Sequence, residues 1–189
     1  LSTRGKIFMS QLQNDCAAQG YELNVKKLNA IEYGVPQNRK RAFLVGQRQD
    51  VVSKTFTFPE GAPAYIENPV TVRDAIADLA PLTESHVVNH RGDHLSEINL
   101  KRIRSIKAGQ GRDALPEDLQ LPCHRKNKSH RHLDTYGRMP WDEPGPTITA
   151  RFDSFSRGRF GHPELDRTIT LREGARLQTF PDSFEFQGT

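Results

Sequence analysis

The stretch that most restricts the fold is GVPQNRKRAFLVG, residues 34–46, in which three consecutive basic residues run into an uncharged apolar segment. The apolar part, residues 42–46, has the length of a β-strand and predicts a strand that is covered on both faces. If the basic part is also extended, Gln37, Arg39 and Arg41 point to the same side. That side carries an amide and two permanent cations, which suit an anion or a developing oxyanion. A solvated strand end with ordinary salt bridges is the alternative.

The residues before this stretch predict a helix and a strand. Apolar residues recur every fourth position within residues 6–19, and Gly20 follows where a helix often ends. The alternating segment YELNVKKLNA, residues 21–30, then predicts a strand. A helix and two strands in this order indicate the end of an α/β sheet.

Composition limits how the rest of the chain can fold and what it can bind. Only 35% of the 189 residues are hydrophobic, and the mean hydropathy is −0.69, so either much of the chain is loop or part of its core is missing. The net charge of +4 favours a polyanionic partner. Two cysteines far apart in sequence indicate a reducing cytoplasm, and no apolar run is long enough for a targeting or membrane-spanning segment.

A loop-rich insert is expected between about residues 50 and 146, where most of the prolines lie. Within it, Thr71 and Asp74 have the spacing of a capping box that opens a short helix, and INLKRIRSIKAG predicts a second helix. After the insert, PTITARF predicts a strand. Thr170 and Glu173 then form a second capping box that opens the helix in TITLREGARLQTF.

The segment CHRKNKSHRHLDTYGR, residues 123–138, is strongly basic and contains a single acid, Asp134. Its composition is typical of a loop that lies on nucleic-acid phosphates and base edges, and a merely solvated basic loop is the alternative. The candidate DNA-binding residues in it are Arg125, Lys126, Lys128, Ser129, Arg131, Tyr136 and Arg138.

The same segment holds a conceivable zinc ligand set, namely Cys123, His124, His130 and His132. Their spacing matches neither the common zinc-finger patterns nor the common catalytic ones, and no second ligand pair lies nearby. Histidines on a loop that faces DNA are the better interpretation.

Two separated motifs resemble one known family. YGVPQNRKRAFLVG closely resembles the eighth conserved block of the cytosine-C5 DNA methyltransferases, and HPELDRTITLREGARLQTFPDSFEF, residues 162–186, resembles their ninth block. The family's target recognition domain lies between these two blocks. The resemblance covers essentially the whole chain, and it favours the active-site interpretation of the basic residues over plain salt bridges.

The resemblance implies an α/β fold, the C-terminal part of a Rossmann-like methyltransferase sheet with an inserted loop-rich, partly β target recognition domain. Residues 1–70 are then the end of the catalytic domain, 71–163 the recognition domain, and 164–189 the return to an incomplete catalytic domain. The family's Pro-Cys-Gln nucleophile, its Glu-Asn-Val glutamate and its glycine-rich cofactor loop have no counterpart here. We therefore expect the C-terminal half of a methyltransferase, inactive alone and without the last block.

Transferred position by position, the resemblance places Gln37, Arg39 and Arg41 on the active-site wall. Arg41 is expected to contact the O2 atom of a flipped-out cytosine, and Arg39 to orient neighbouring acidic groups. Arg172 and Glu173 are expected to be structural. Position 179 is Thr where many relatives have Gly, which affects only local helix packing.

The expected partners are double-stranded DNA and the N-terminal half of the enzyme, which would bind most of the S-adenosylmethionine, in the cytoplasm at the nucleoid. DNA reading is expected in residues 124–138 and in RFDSFSRGRFGH, whose arginines favour a site that contains guanine. The DNA-binding candidates in the second segment are Arg151, Arg157 and Arg159. Two other interpretations are a stand-alone DNA-binding module of the same ancestry without catalysis and, less economically, a basic RNA-binding or structural protein.

Overall fold

The computed structural model describes residues 3–51, 54–126 and 134–188 of the chain. The chain divides into two compact units. Unit 1 is drawn from Leu1–Asn29 and Lys40–Gly61, and unit 2 from Ala30–Arg39 and Ala62–Thr189. The stretch 34–46 therefore leaves unit 2 and enters unit 1 at Lys40.

Unit 1 is a helix followed by a β-hairpin. Helix α1 spans Thr3–Ala18, strand β1 spans Tyr21–Asn29 and strand β2 spans Lys40–Arg48. Gly20 follows α1 with a φ of 79°, a left-handed conformation that glycine adopts without strain at a helix end. The two strands pair antiparallel, with Tyr21 opposite Arg48 and Asn29 opposite Lys40. The predicted order of helix, strand and strand is confirmed.

The expectation that β2 is covered on both faces was wrong. Phe43 is 46% exposed and Leu44 is 43% exposed, and Val25 on the partner strand is 44% exposed. The physical reason is that the sheet described in unit 1 has only two strands, and helix α1 packs against it. Such a small assembly cannot bury both faces of a strand.

Unit 2 combines short helices with long irregular segments. Its helical elements in the described residues are α2 (Pro63–Glu67), α3 (Val72–Ile76), α4 (Glu97–Arg104), α5 (Pro122–Lys126), α6 (Leu171–Arg176) and the 3-10 turns Ala30–Tyr33, Ala77–Leu79, Arg112–Ala114 and Glu117–Leu119. Both predicted capping boxes are present. The side chain of Thr71 accepts from the Asp74 amide, and that of Thr170 accepts from the Glu173 amide. Among the described residues, no helix has the length and apolar character that crossing a bilayer requires.

Two apolar clusters form the core of unit 2. The first packs α3 and α6 against the irregular segment 139–169, and its buried members are Val72, Ile76, Met139, Ile148, Phe160, Ile169 and Leu177. The second lies between α4 and the segment that follows it, with Ile103, Ile106, Leu115 and Phe155 buried. Both clusters draw on residues far apart in sequence, so the long loops are held by packing rather than by ladders.

The predicted strand in PTITARF does not join a β-ladder, and residues 150–152 of this segment lie in a turn. A parallel bridge links Gly145 to Gln37, and the backbone amide of Ile148 donates to the Gln37 side-chain oxygen at 3.3 Å. A side chain therefore takes the place of a neighbouring strand. The described part of residues 71–163 likewise has isolated bridges instead of strands, which differs from the partly β recognition domain expected from the sequence.

The end of α6 explains why position 179 matters. Thr179 has a φ of 64°, its amide donates to the Arg176 carbonyl, and the Phe180 amide donates to the Ala175 carbonyl. This is the Schellman pattern of helix termination, in which the left-handed residue is usually glycine. A β-branched residue in that conformation is strained. The Gly-to-Thr departure thus falls on the one position of this turn where glycine is favoured.

Candidate nucleic-acid interface

A cleft of about 660 Å³ opens on unit 2. Polar and charged residues on its walls are Asn38, Asp134, Thr147, Thr149, Arg157 and Arg159, and Pro146 and Phe160 also line it. The cleft therefore brings Asn38 of the QNRKR stretch, residues 37–41, next to two arginines that the sequence predicts to bind DNA. Neutral donors and acceptors beside fixed cations suit a ligand that is both polar and anionic.

The cleft-lining arginines differ in how firmly they are held. Arg159 pairs with Asp134 at 2.8 Å, and its side chain is 26% exposed. Arg157 is exposed and makes no side-chain hydrogen bond or ion pair to the described residues. Arg151, a third candidate, does not line the cleft; it is exposed and has a 3.3 Å contact with Asp153. Arg157 is thus the cation at this cleft whose donors are open to a ligand.

Gln37 is buried behind the cleft, with 1% of its surface exposed. Its amide nitrogen donates to the Leu177 carbonyl at 3.2 Å, and its amide oxygen accepts from the Ile148 amide at 3.3 Å. Both ends of the side chain are therefore occupied by backbone groups. The sequence predicts an amide facing the active site, whereas the structure directs this amide into unit 2.

Arg39 and Arg41 belong to different units. Arg39, in unit 2, is partly buried and donates from Nη1 to the Ile148 carbonyl at 3.3 Å. Among the described residues it has no acidic partner of the kind expected. Arg41, in unit 1, is exposed on β2 and donates from Nη1 to the Lys40 carbonyl at 2.8 Å. The remaining donors of Arg41 are open to solvent and to a ligand.

Arg138 lies inside unit 2, although the sequence predicts it to bind DNA. Only 5% of it is exposed. Its guanidinium donates to four backbone carbonyls and to the Asp166 carboxylate, the last at 2.5 Å. Burial opposes ionisation of Asp166, but hydrogen bonds from Arg104 and Arg138 outweigh it and lower the pKa of that carboxyl. All three guanidinium nitrogens of Arg138 are engaged within the protein, so it joins loops rather than presenting itself to a phosphate.

The other candidates in the basic segment are only partly described. Arg125 is exposed on α5 and donates to the Gln120 carbonyl at 3.2 Å, and Lys126 is the last residue of that helix. Tyr136 is partly buried, with its ring 5.7 Å from Phe155. Lys128, Ser129 and Arg131 lie outside the described residues.

The conceivable zinc set is described only in part. Cys123 is exposed, and the His124 ring packs edge-on against Tyr136 at 5.9 Å. His130 and His132 lie outside the described residues. Among the residues that are described, no three His, Cys, Asp or Glu side chains come together as a metal site would require.

Arg172 and Glu173, expected to be structural, are both fully buried in unit 2. Arg172 donates to the carbonyls of Val88, Pro181 and Phe184, so it fastens two loops to the start of α6. Glu173 forms a two-bond ion pair with Arg167, each bond 2.7 Å long. Burial alone would raise the pKa of Glu173, but the bonds from Arg167 prevail and lower it.

Two buried histidines that the sequence does not single out surround this ion pair. His162 has 0% exposure, and burial lowers its pKa to about 4, so its ring is neutral near pH 7. Its Nδ1 accepts from the amides of Glu164 and Leu165, which leaves the proton on Nε2, 3.7 Å from Glu173. His90 bonds Thr170 Oγ1 at 3.0 Å and the Leu79 carbonyl at 3.0 Å.

Comparisons with known proteins agree with this arrangement of motifs. The sequence model of the family "C-5 cytosine-specific DNA methylase" matches residues 2–189. A type II methylase, M.HgiDII of Herpetosiphon aurantiacus, is 39% identical over 188 residues, which are 97% of this chain and 51% of that protein. A type II methyltransferase, M1.BsuMI of Bacillus subtilis, is 37% identical over 93% of this chain and 40% of its own length.

A solved structure supports the fold. An Escherichia coli protein described as a prophage-encoded DNA modification methyltransferase superimposes with a TM-score of 0.57 at 22% identity, over 89% of this chain and 53% of that one. Together with the family match, these similarities show that the chain belongs to the C-5 cytosine-specific DNA methylases. The chain spans about half the length of the first of these relatives, 51%.

Proposed function

We propose that this chain is the DNA-recognising half of a DNA (cytosine-5-)-methyltransferase and contributes one wall of its active site. The observation that carries the proposal is the cleft of unit 2, where Arg157 and Arg159 line the same space as Asn38 of the eighth block. The reaction is inferred from the family, and DNA binding is inferred from the cleft, whose groups suit a DNA backbone and base edges.

In the proposed reaction, a cytosine leaves the duplex and its C6 is attacked by a cysteine thiolate outside this chain. Flipping costs a few kcal/mol, which contacts from the recognition loops offset. Addition at C6 moves electron density toward O2 and N3 of the base. We assign the contact with O2 to Arg41, because a guanidinium stabilises that charge without losing its proton.

S-adenosylmethionine supplies the methyl group that is transferred to C5 when it is bound. The described residues do not form a full site for it, because their only sheet is the antiparallel pair β1–β2. Nucleotide cofactors of Rossmann-like folds bind where a parallel strand leads into a helix. We therefore assign the cofactor mainly to the other half of the enzyme, and derive no step of this chain through it.

A partner half is supported by the apolar surface of unit 1. Ile7 and Phe8 on α1 are each 64% exposed, and Phe43 and Leu44 on β2 are 46% and 43% exposed. Apolar residues at adjacent strand positions face opposite sides of a sheet, so both faces of the hairpin need cover. The partner that fits is the remainder of the methyltransferase sheet, against which β2 would be buried as its sequence predicts.

The experiment that tests the proposal measures transfer of tritiated methyl groups from S-adenosylmethionine to duplex DNA. The chain is assayed alone and together with the part of the Herpetosiphon relative that the match does not cover. We expect transfer only with both parts present. Transfer by the chain alone would contradict the division of labour, and duplex binding without transfer in any combination would favour a binding module.

A stand-alone DNA-binding module is the second candidate, and the core of unit 2 favours it. This unit encloses two apolar clusters of its own, so it can hold its cleft in shape without a partner. Binding of a specific duplex by the chain, with no gain from added partner segments, would support this function.

A further inference from the structure

The backbone of Ile148 is held by two side chains of the eighth block. Gln37 Oε1 accepts from its amide at 3.3 Å, and Arg39 Nη1 donates to its carbonyl at 3.3 Å. Gln37 is anchored at its other end by the Leu177 carbonyl at 3.2 Å. We call these three hydrogen bonds the clamp. Through the buried side-chain amide of Gln37, the clamp connects the QNRKR stretch, the segment after the insert and the end of α6.

The clamped residue sets one wall of the cleft. Ile148 is 7% exposed and packs in the first apolar cluster, while Thr147 and Thr149 both line the cleft. The two threonines therefore face the cleft, and the isoleucine between them faces the core. The Thr147 hydroxyl donates to the Asn38 carbonyl at 2.8 Å, whereas Thr149 is exposed and makes no hydrogen bond to the described residues. Thr149 therefore presents a hydroxyl whose position depends on how Ile148 is held.

We propose that Gln37, assisted by Arg39, is a positioning residue that fixes the Thr147–Thr149 wall for DNA binding, an inference that rests on the proposed function. Only an amide satisfies both of its buried partners, since the Ile148 amide needs an acceptor and the Leu177 carbonyl needs a donor. An unpaired backbone group at this depth would be costly, so the wall would shift if the amide were removed.

A double-mutant cycle on duplex affinity tests whether Gln37 acts through the wall. Gln37→Leu and Thr149→Val are each expected to weaken binding by roughly 5- to 10-fold, and the double variant by little more than either one, because contacting sites are not additive. Gln120→Leu is the matched control. It removes a comparable bond, from Gln120 to the Leu115 carbonyl at 2.7 Å, at a site that does not line the cleft. Its effect should be simply additive with Thr149→Val.

Amide hydrogen exchange measured by NMR tests the clamp without DNA. Exchange at Ile148 should be faster in Gln37→Leu and unchanged in Gln120→Leu. Gln37→Glu keeps the acceptor for the Ile148 amide but loses the amide donor to the Leu177 carbonyl, so it should restore only part of the protection of Ile148 and of the affinity. If Gln37→Leu does not fold, the same exchange and affinity measurements are made on Gln37→Glu instead.

Three results would overturn the inference. They are additive effects of Gln37→Leu and Thr149→Val, a silent Thr149→Val, and unchanged exchange at Ile148. Failure of the unmodified chain to bind any duplex would instead contradict the proposed function, and the exchange experiment would still decide whether Gln37 holds the wall.

Discussion

Replacing Glu173 with Ala is expected to destabilise unit 2 more than any surface change. The substitution removes the partner of a guanidinium that is mostly withdrawn from water, since the Arg167 side chain is 17% exposed and that of Glu173 is 0% exposed. Breaking a buried pair in this way costs about 3–5 kcal/mol. It also removes half of a capping box, because Glu173 accepts from the Thr170 amide at 2.7 Å, and this adds about 0.5–1 kcal/mol.

The assay is equilibrium unfolding in urea, followed by the fluorescence of Trp141. This is the only tryptophan of the chain, and it packs on the first apolar cluster with its ring 5.3 Å from His162, so it reports on unit 2. Glu173→Gln keeps an acceptor for the Thr170 amide and should cost about 2 kcal/mol. Asp153→Asn is the control, because it breaks only an exposed pair and should cost less than about 0.5 kcal/mol. A cost below about 1 kcal/mol for Glu173→Ala would refute the account.

The remaining predictions concern pH, the α6 end, DNA binding and catalysis. Because folding lowers the pKa of His162 from 6.5 to about 4, the free energy of unfolding should fall as the pH decreases from 6.5 to 4. In His162→Asn this fall should be shallower, as measured by urea titrations at each pH. Thr179→Gly should raise the unfolding free energy by about 1 kcal/mol in the same assay, and no gain would mean that the turn is unstrained. In the reconstituted enzyme, Arg41→Ala should slow single-turnover methyl transfer by roughly 100-fold while the adjacent Lys40→Ala is nearly silent, and equal rates would exclude the O2 contact. Arg125, Lys126 and Lys128 should be replaced by Ala together. If all three touch phosphate, the slope of log affinity for duplex against log salt concentration should become shallower by about two to three units. An unchanged slope would mean that the cluster is solvated.

Local signals in the sequence predicted the local structure well. The helix and hairpin of unit 1 follow from periodicity and from Gly20, and both capping boxes follow from a spacing of three residues. These features depend on neighbours within a few positions, so the sequence carries them directly. The two family blocks are read in the same way, as continuous strings.

Long-range pairing was not predictable by the same means. PTITARF has the alternation of a strand, but Ile148 finds its partners in Gln37 and Arg39, more than 100 positions earlier. The burial of His162 and its place beside Glu173 depend equally on how the loops pack. The first residue of the ninth block is His162, so the resemblance marks the position, but nothing in the pattern shows that this ring is neutral and internal.

Charge in the sequence does not separate candidate DNA-binding arginines from structural ones, and the reason is that the described part of unit 2 has no β-ladders. Loops that pack together present many carbonyls outside any ladder, and a guanidinium with five donors can bind several of them at once. Arg138 and Arg172 do this, each joining three or more carbonyls from distant segments. Some of the basic residues therefore stabilise the fold and are not available to bind DNA. Arg157, whose guanidinium bonds none of the described residues, is by this criterion the stronger candidate for contact with DNA.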